Sequence, residues 1–189
     1  VVGALPKELI KTGADVRVIL PLYKTMDSKW RAELEHVLHF NVNLGWRTQY
    51  CGVFKLEKDG VVYYFLDNEY YFKRNGLYGH FDDGERFAFF SKAILEMLVN
   101  IDFYPDIIHT NDWQTALVPT YYYLFYSKNP WYHNIKNIFT IHNIQYQGKY
   151  GWEVNTECVG IPKEDCKLLE MDGKLTDKAK GYIATILFC

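Results

Sequence analysis

Two short stretches of the chain gather hydrogen-bonding side chains directly after apolar, β-branched runs. DIIHTND ends on His109, Asn111 and Asp112, and IKNIFTIHN runs into His142 and Asn143. If both runs are strands of one parallel sheet, their polar ends share a rim, and in open α/β sheets ligands bind at that rim. Carboxylate, imidazole and amide groups beside aromatics suit a sugar, whose hydroxyls need several convergent donors and acceptors. Plainer readings stay open: Asp112 as the N-cap of the helix that follows, and each histidine as an ordinary hydrogen-bonded strand end. Cys51, Cys158, Cys166 and Cys189 form no CxxC pair and have no histidine at finger spacing, so free thiols are expected and no metal or redox site.

Composition narrows the classes further. The 189 residues are 49% hydrophobic and 23% charged with a net charge of −2, which excludes a disordered, collagenous or coiled-coil chain. The slight acidity leaves no basic footprint, so nucleic acid is not an expected partner. No apolar run approaches the roughly 18 residues of a membrane span, so none is expected in a membrane either.

The elements that must position the polar ends follow from periodicity. VVGALPKELIKTG places Val1, Leu5, Leu9 and Ile10 on one helical face, with Gly13 at a left-handed C′ position. A buried strand is expected over 16–20, stopped by Pro21. Helix feeding strand implies a βαβ crossover whose first strand lies upstream of Val1. Residues 36–67 alternate as strands around Asp59-Gly60, a hairpin turn, and read as an antiparallel insertion. EYYFKRNGLYGH, 69–80, has no sustained period and reads as a long surface loop or, alternatively, as a loop pinned by buried Tyr and Phe. A helix begins at Asp82, which with Glu85 has capping-box spacing, and its stripe of Phe87, Phe90, Ile94, Met97, Leu98 and Ile101 faces the core. Pro119 predicts a kink or early stop in the helix after Asp112. Strands are expected through His109 and over 137–141, and the alternation of helix and strand gives an α/β, doubly wound, mainly parallel sheet with a hairpin insertion.

VVGALPKELIKTGADVRVILPLY, DIIHTNDWQTALVP and NIFTIHNIQYQGKY together resemble the N-terminal domain of bacterial glycogen synthases and plant starch synthases, retaining glucosyltransferases of the two-Rossmann-domain (GT-B) type. The resemblance covers about Val1 to Lys167, and the tail MDGKLTDKAKGYIATILFC fits it poorly. It implies that residues 1–189 are a partial acceptor-side domain lacking its first strand and the C-terminal nucleotide-binding domain. It also implies transfer of glucose from ADP-glucose, or UDP-glucose in some relatives, to the nonreducing end of an α-1,4-glucan, with no cofactor and no catalytic metal. Carried over residue by residue, His142 in TIHN hydrogen-bonds the donor glucose and Asp112 in NDWQ contacts the sugar near the reaction centre. Tyr78 matches an acceptor-side aromatic, and Asn143, Gln147 and Gly148 contact substrate from the loop edging the interdomain cleft. A bacterial protein of this kind would be cytoplasmic, a plant one plastidic.

Two other readings remain open from the residues. One is a noncatalytic glucan-binding module in which Tyr78, Trp113 or Trp152 stacks on sugar faces. The other is a different sugar-nucleotide enzyme of the same fold class, although no G-x-G-x-x-G follows any strand. A missing central strand would remove several side chains worth about 1.5 to 3 kcal/mol each from a domain stable by only about 5 to 15 kcal/mol. The chain alone is therefore expected to be inactive and marginally stable: at micromolar concentration it should melt broadly or aggregate, and a sharp cooperative transition well above room temperature would contradict this.

Overall fold

The structure is a computed structural model, and it describes residues 3–151, 153–166 and 180–181. The chain forms two compact units, Val1–Asn41 with Gln49–Gly79, and Val42–Thr48 with His80–Cys189.

In the first unit, helix α1 (Leu5–Ile10) begins with proline in its first turn, where the missing N–H costs nothing. It is followed by Gly13 at φ +88°, a conformation glycine adopts without a Cβ clash. Strand β1 (Arg17–Pro21) runs parallel to β4 (Val61–Asp67), from Arg17 opposite Val62 to Pro21 opposite Leu66. A short helix, α2 (Ser28–Ala32), is capped by the Asp27 carboxylate on the Lys29 N–H. Strands β2 (Glu35–Leu44) and β3 (Arg47–Lys58) complete a sheet ordered β1-β4-β3-β2, in which β3 and β4 are antiparallel. Their turn is at Asp59-Gly60, both with positive φ (51° and 77°), the backbone that two-residue hairpins require.

The antiparallel hairpin is built directly onto the parallel pair, because β4 pairs with both β1 and β3. One expectation changes: β1 is not buried, since Arg17–Leu20 are half-buried and only Pro21 is fully covered, in keeping with its place at the edge of the sheet.

The expected loop 69–80 opens with one helical turn, α3 (Glu69–Phe72), too short to show a period in sequence. Tyr71 and Phe72 are fully buried, so the pinned-loop alternative is the one that holds for this turn, while residues 75–79 are exposed. Asn68 fastens it. Its Oδ1 accepts from the Tyr71 N–H (3.0 Å) and its Nδ2 donates to the Tyr50 carbonyl (2.8 Å).

The second unit is built on α4 (Asp83–Asn100) and the parallel pair β5 (Ile107–Asn111) and β6 (Lys136–Thr140). The expected apolar stripe of α4 is buried through Leu98, as are Phe89, Leu95, Ser91 and Arg86, while Lys92 and Glu96 are half-buried and Val99 and Asn100 exposed, so most of the helix is covered. Its buried charged members are paired, Arg86 with Asp83 and Glu85 with Arg47, while the buried Ser91 hydroxyl has no partner among the described residues. The capping box does not form. Asp82 makes no side-chain cap, Asp83 instead accepts from the His80 N–H, and Glu85 is taken by Arg47. After β5 come a 3-10 turn (Trp113–Thr115), α5 (Leu117–Tyr121) and a π-type turn (Tyr122–Tyr126). Pro119 sits inside this run, and its missing N–H leaves the Thr115 carbonyl without an i→i−4 donor where the 3-10 turn gives way to α5. A two-residue ladder joins β7 (Lys149–Tyr150) to β8 (Lys180–Gly181).

Replacing Asn68 with Ala should lower the urea-unfolding free energy by about 1 to 2 kcal/mol, since it removes two side-chain hydrogen bonds to the backbone, one to the Tyr71 N–H and one to the Tyr50 carbonyl. Asn68→Asp should keep the cap and lose the bond to Tyr50, falling between the two; equal stability of all three proteins would contradict the assignment.

Candidate functional site

The pairing of β5 with β6 builds the site from the backbone upward. The parallel register sets His109 opposite Ile138 and Asn111 opposite Thr140, so the two strands finish side by side. The Asp112 N–H extends the ladder by one bond, donating to the Thr140 carbonyl (2.9 Å). Two side-chain bonds cross the same pair: the His109 Nε2 with Thr140 Oγ1 (2.8 Å), and Thr110 Oγ1 to the Ile138 carbonyl (3.2 Å). Thr115, one turn on, clasps the end of β5, accepting from the Asn111 N–H and donating to the Asn111 carbonyl, both at 2.8 Å.

Asp112 leaves the strand at φ 57°, ψ 175°, a region that costs a non-glycine residue on the order of 1–3 kcal/mol. It makes no side-chain cap for the turn behind it, so the capping reading is overturned. Its Oδ1 instead accepts from the His142 backbone N–H (2.8 Å). No other hydrogen bond to that carboxylate occurs among the described residues. The His142 ring lies with Nε2 3.0 Å from Asn111 Oδ1, and the residue is exposed. Two consecutive residues of one strand end thus hold the backbone and the ring of a histidine beyond the other.

The loop after His142 is ordered by its own side chains. Asn143 Oδ1 accepts from the Gln145 N–H (3.0 Å), and Gln147 Nε2 donates to the Ile144 carbonyl (3.0 Å), while Gln147 Oε1 is buried without a partner. Gly148 at φ +60° lies flat on Trp113, where an added Cβ would stand 2.6 Å from the indole. Trp113 is 7% exposed, packed edge-on to Phe87 at 5.0 Å and against Tyr150 at 6.1 Å. It is a core residue, which removes it as a sugar-stacking platform. Tyr78 belongs to the first unit and is 57% exposed. Trp152 and the tail over 167–179 and 182–189 lie outside the described residues.

Of the six expected site residues, Asp112 stands at the end of β5, and His142, Asn143, Gln147 and Gly148 stand after the end of β6 beside it. Thr115 and Thr140 are additional, and the only trace of the first in the sequence is its spacing of four from Asn111. Cys51, Cys158 and Cys166 are free, and burial pushes the thiols of Cys51 and Cys158 up, away from reactive thiolate. Burial likewise keeps the Tyr150 phenol protonated, helped by the nearby Asp83 carboxylate. Among the described residues no group of three or more His, Cys, Asp or Glu is placed to hold a metal ion, and no helix is long and apolar enough to cross a membrane.

Comparison with known proteins gives concordant results. The family model for the starch synthase catalytic domain matches residues 1–184, reaching well past Lys167, where the recognisable motifs end. A glycogen synthase of Clostridium perfringens (strain 13 / Type A) is 53% identical over 164 residues, 87% of this chain and 34% of the relative. That of Bacillus cereus (strain B4264) is 49% identical over 187 residues, 98% of this chain and 39% of the relative. The catalytic domain of starch synthase IV from Arabidopsis thaliana, solved bound to ADP and acarbose, superposes with a TM-score of 0.87 at 28% identity, covering 100% of this chain and 39% of its own. The doubly wound α/β reading is therefore correct, as the N-terminal half of a GT-B fold, and the chain spans 34–39% of the length of the curated relatives it matches.

Gly148→Ala should destabilise the second unit by about 1–3 kcal/mol, through the clash with Trp113 and the left-handed backbone. Indole fluorescence should shift with it, and an unperturbed spectrum and unfolding midpoint would refute the close packing.

Proposed function

This chain belongs to the starch synthase catalytic domain family, and on that premise we propose that the protein transfers glucose from ADP-glucose to the nonreducing end of an α-1,4-glucan, with retention of anomeric configuration. The observation that carries the proposal is the joint grip of Asn111 and Asp112 on His142 at the paired ends of β5 and β6. It presents an imidazole and a carboxylate at the carboxyl rim of a parallel strand pair, where this fold class binds its ligands. The ADP bound in the Arabidopsis relative is what an ADP-glucose donor leaves after transfer.

In this reading His142 hydrogen-bonds a hydroxyl of the donor glucose, and Asp112 offers its remaining carboxylate capacity to the sugar near the reacting carbon. The strained backbone of Asp112 fits such a role, since sparsely populated conformations cluster where a side chain must be aimed. Asn143, with Oδ1 engaged by Gln145, has its amide NH2 left for substrate. Gln147, which braces this loop through the Ile144 carbonyl, is assigned to the substrate side with it, and Gly148 lets the loop lie close on Trp113. Tyr78 is assigned to the acceptor side. Catalysis then rests on positioning and on electrostatic stabilisation of the leaving diphosphate, without a resident cofactor. Binding of the nucleotide is assigned to the part of the relatives that this chain does not span, so the 189 residues alone should release no ADP. The kinship with Bacillus and Clostridium proteins supports a bacterial, cytoplasmic setting.

In the whole protein, His142→Ala and Asp112→Asn should each lower kcat for glucan-dependent ADP release by roughly a hundredfold or more, the usual cost of one preorganised polar contact to a transition state. Far-UV circular dichroism should be unchanged. Wild-type turnover in both variants would overturn the assignment, as would ADP release by the 189-residue chain alone.

A further inference from the structure

We propose that Asn111 is a positioning residue that fixes the tautomer and orientation of the His142 imidazole, holding the proton on Nε2 and leaving Nδ1 as the acceptor for a sugar hydroxyl. The inference rests on the reading above, in which His142 meets the donor sugar, and it names which kind of group that histidine can take.

Three observations carry it. First, Asn111 Oδ1 stands 3.0 Å from His142 Nε2, and an amide oxygen can only accept, so the ring nitrogen facing it must carry hydrogen. A neutral imidazole has one N–H, and settling it on Nε2 makes Nδ1 the lone-pair nitrogen. Second, Asn111 is itself immobilised. Its backbone is the last rung of the β5–β6 ladder, opposite Thr140, and both its N–H and its carbonyl are clasped by Thr115. Third, the histidine cannot follow a swinging ring, because its own backbone N–H is tied to Asp112 Oδ1 (2.8 Å). Ring and backbone are therefore held by neighbouring residues of a single rigid strand end, so neither can rotate without breaking a bond to β5.

The consequence is selectivity. An imidazole whose free nitrogen is an acceptor takes a group that donates, such as a sugar hydroxyl. It rejects one that only accepts, such as an ether, carboxylate or phosphate oxygen, because two lone pairs would then face each other. A histidine free to exchange tautomers would accept either class. Asn111 thus converts a permissive residue into a hydroxyl reader without touching substrate.

The test is the long-range 15N–1H spectrum of the histidine-labelled whole protein, recorded above the imidazole titration midpoint for the wild type, Asn111→Ala and Asn111→Asp. The wild type should show a pyrrole-type Nε2 and a pyridine-type Nδ1 at His142. Asn111→Ala should relax toward a mixture of tautomers. Asn111→Asp should restore the Nε2–H form, since a carboxylate also only accepts, and should move the His142 midpoint to higher pH by stabilising the imidazolium. Asp112, the charged group already bonded to His142, is common to all three proteins, and the other ring nearby, His109, is engaged by Thr140. An Nδ1–H tautomer in the wild type, or the same tautomer mixture and midpoint in all three, would overturn the proposal. If Asn111→Ala loses its dispersed amide spectrum, Asn111→Asp decides: a raised midpoint with Nε2–H retained supports the role, and an unmoved midpoint refutes it. The outcome separates from that of the sugar-transfer reading. A fixed Nε2–H in a protein that makes no glucan leaves Asn111 as the orienting residue and refutes the transferase. A kcat loss on His142→Ala with no tautomer change on Asn111→Ala does the reverse.

Discussion

The parallel register of β5 on β6 is the constraint on which the candidate site depends. It brings Asn111 level with Thr140 and lets Asp112 continue the ladder by one bond, so that two polar residues finish one strand just where His142 follows the other. A slip of one residue would turn each side chain to the opposite face of the sheet. The bonds from Asn111 and Asp112 to His142 would then be lost together. The crossing contacts of His109 with Thr140 and of Thr110 with the Ile138 carbonyl lock the register from within the pair.

Around that pair, close approaches replace side-chain bulk with shape. Gly148 allows the loop after His142 to rest on Trp113, and Gly84 of α4 leaves room for Tyr150 and Val154. Gly45 and Gly160 meet in the same unit, where an added Cβ on Gly45 would stand 2.1 Å from the Glu157 carbonyl oxygen. Trp113, which Gly148 receives, is buried, and Tyr150, which Gly84 receives, is half-buried, so both rings serve packing. Arg86 is fully buried but paired with Asp83, so α4 can bury most of its surface and still carry charge there.

Much of this organisation was legible in the chain because it is written locally. Gly13 and Asp59-Gly60 announce positive φ, β-branched runs announce β5 and β6, and the polar residues that end those runs announce the rim. What misled were residues whose partners are far away. Asp112 has the spacing of a helix cap, yet its carboxylate bonds a backbone N–H 30 positions on. Asp82 and Glu85 spell a capping box, yet Glu85 answers to Arg47 across 38 positions. A local pattern ranks the nearest partner, and tertiary structure supplied a better one. Trp113 shows the same limit for apolar groups, since an aromatic beside a polar rim reads alike whether it faces sugar or Phe87. The turn at 69–72 is not legible in the sequence because four residues cannot display a helical period.

The central claim is that the joined ends of β5 and β6, with the loop after His142, form a sugar-contacting rim. It is tested most directly by amide NMR of the isotope-labelled whole protein titrated with maltoheptaose. The account predicts saturable shifts concentrated at residues 110–113 and 140–148, with the rest of the second unit quiet. Shifts confined to other surfaces, or none at millimolar glucan, would contradict it.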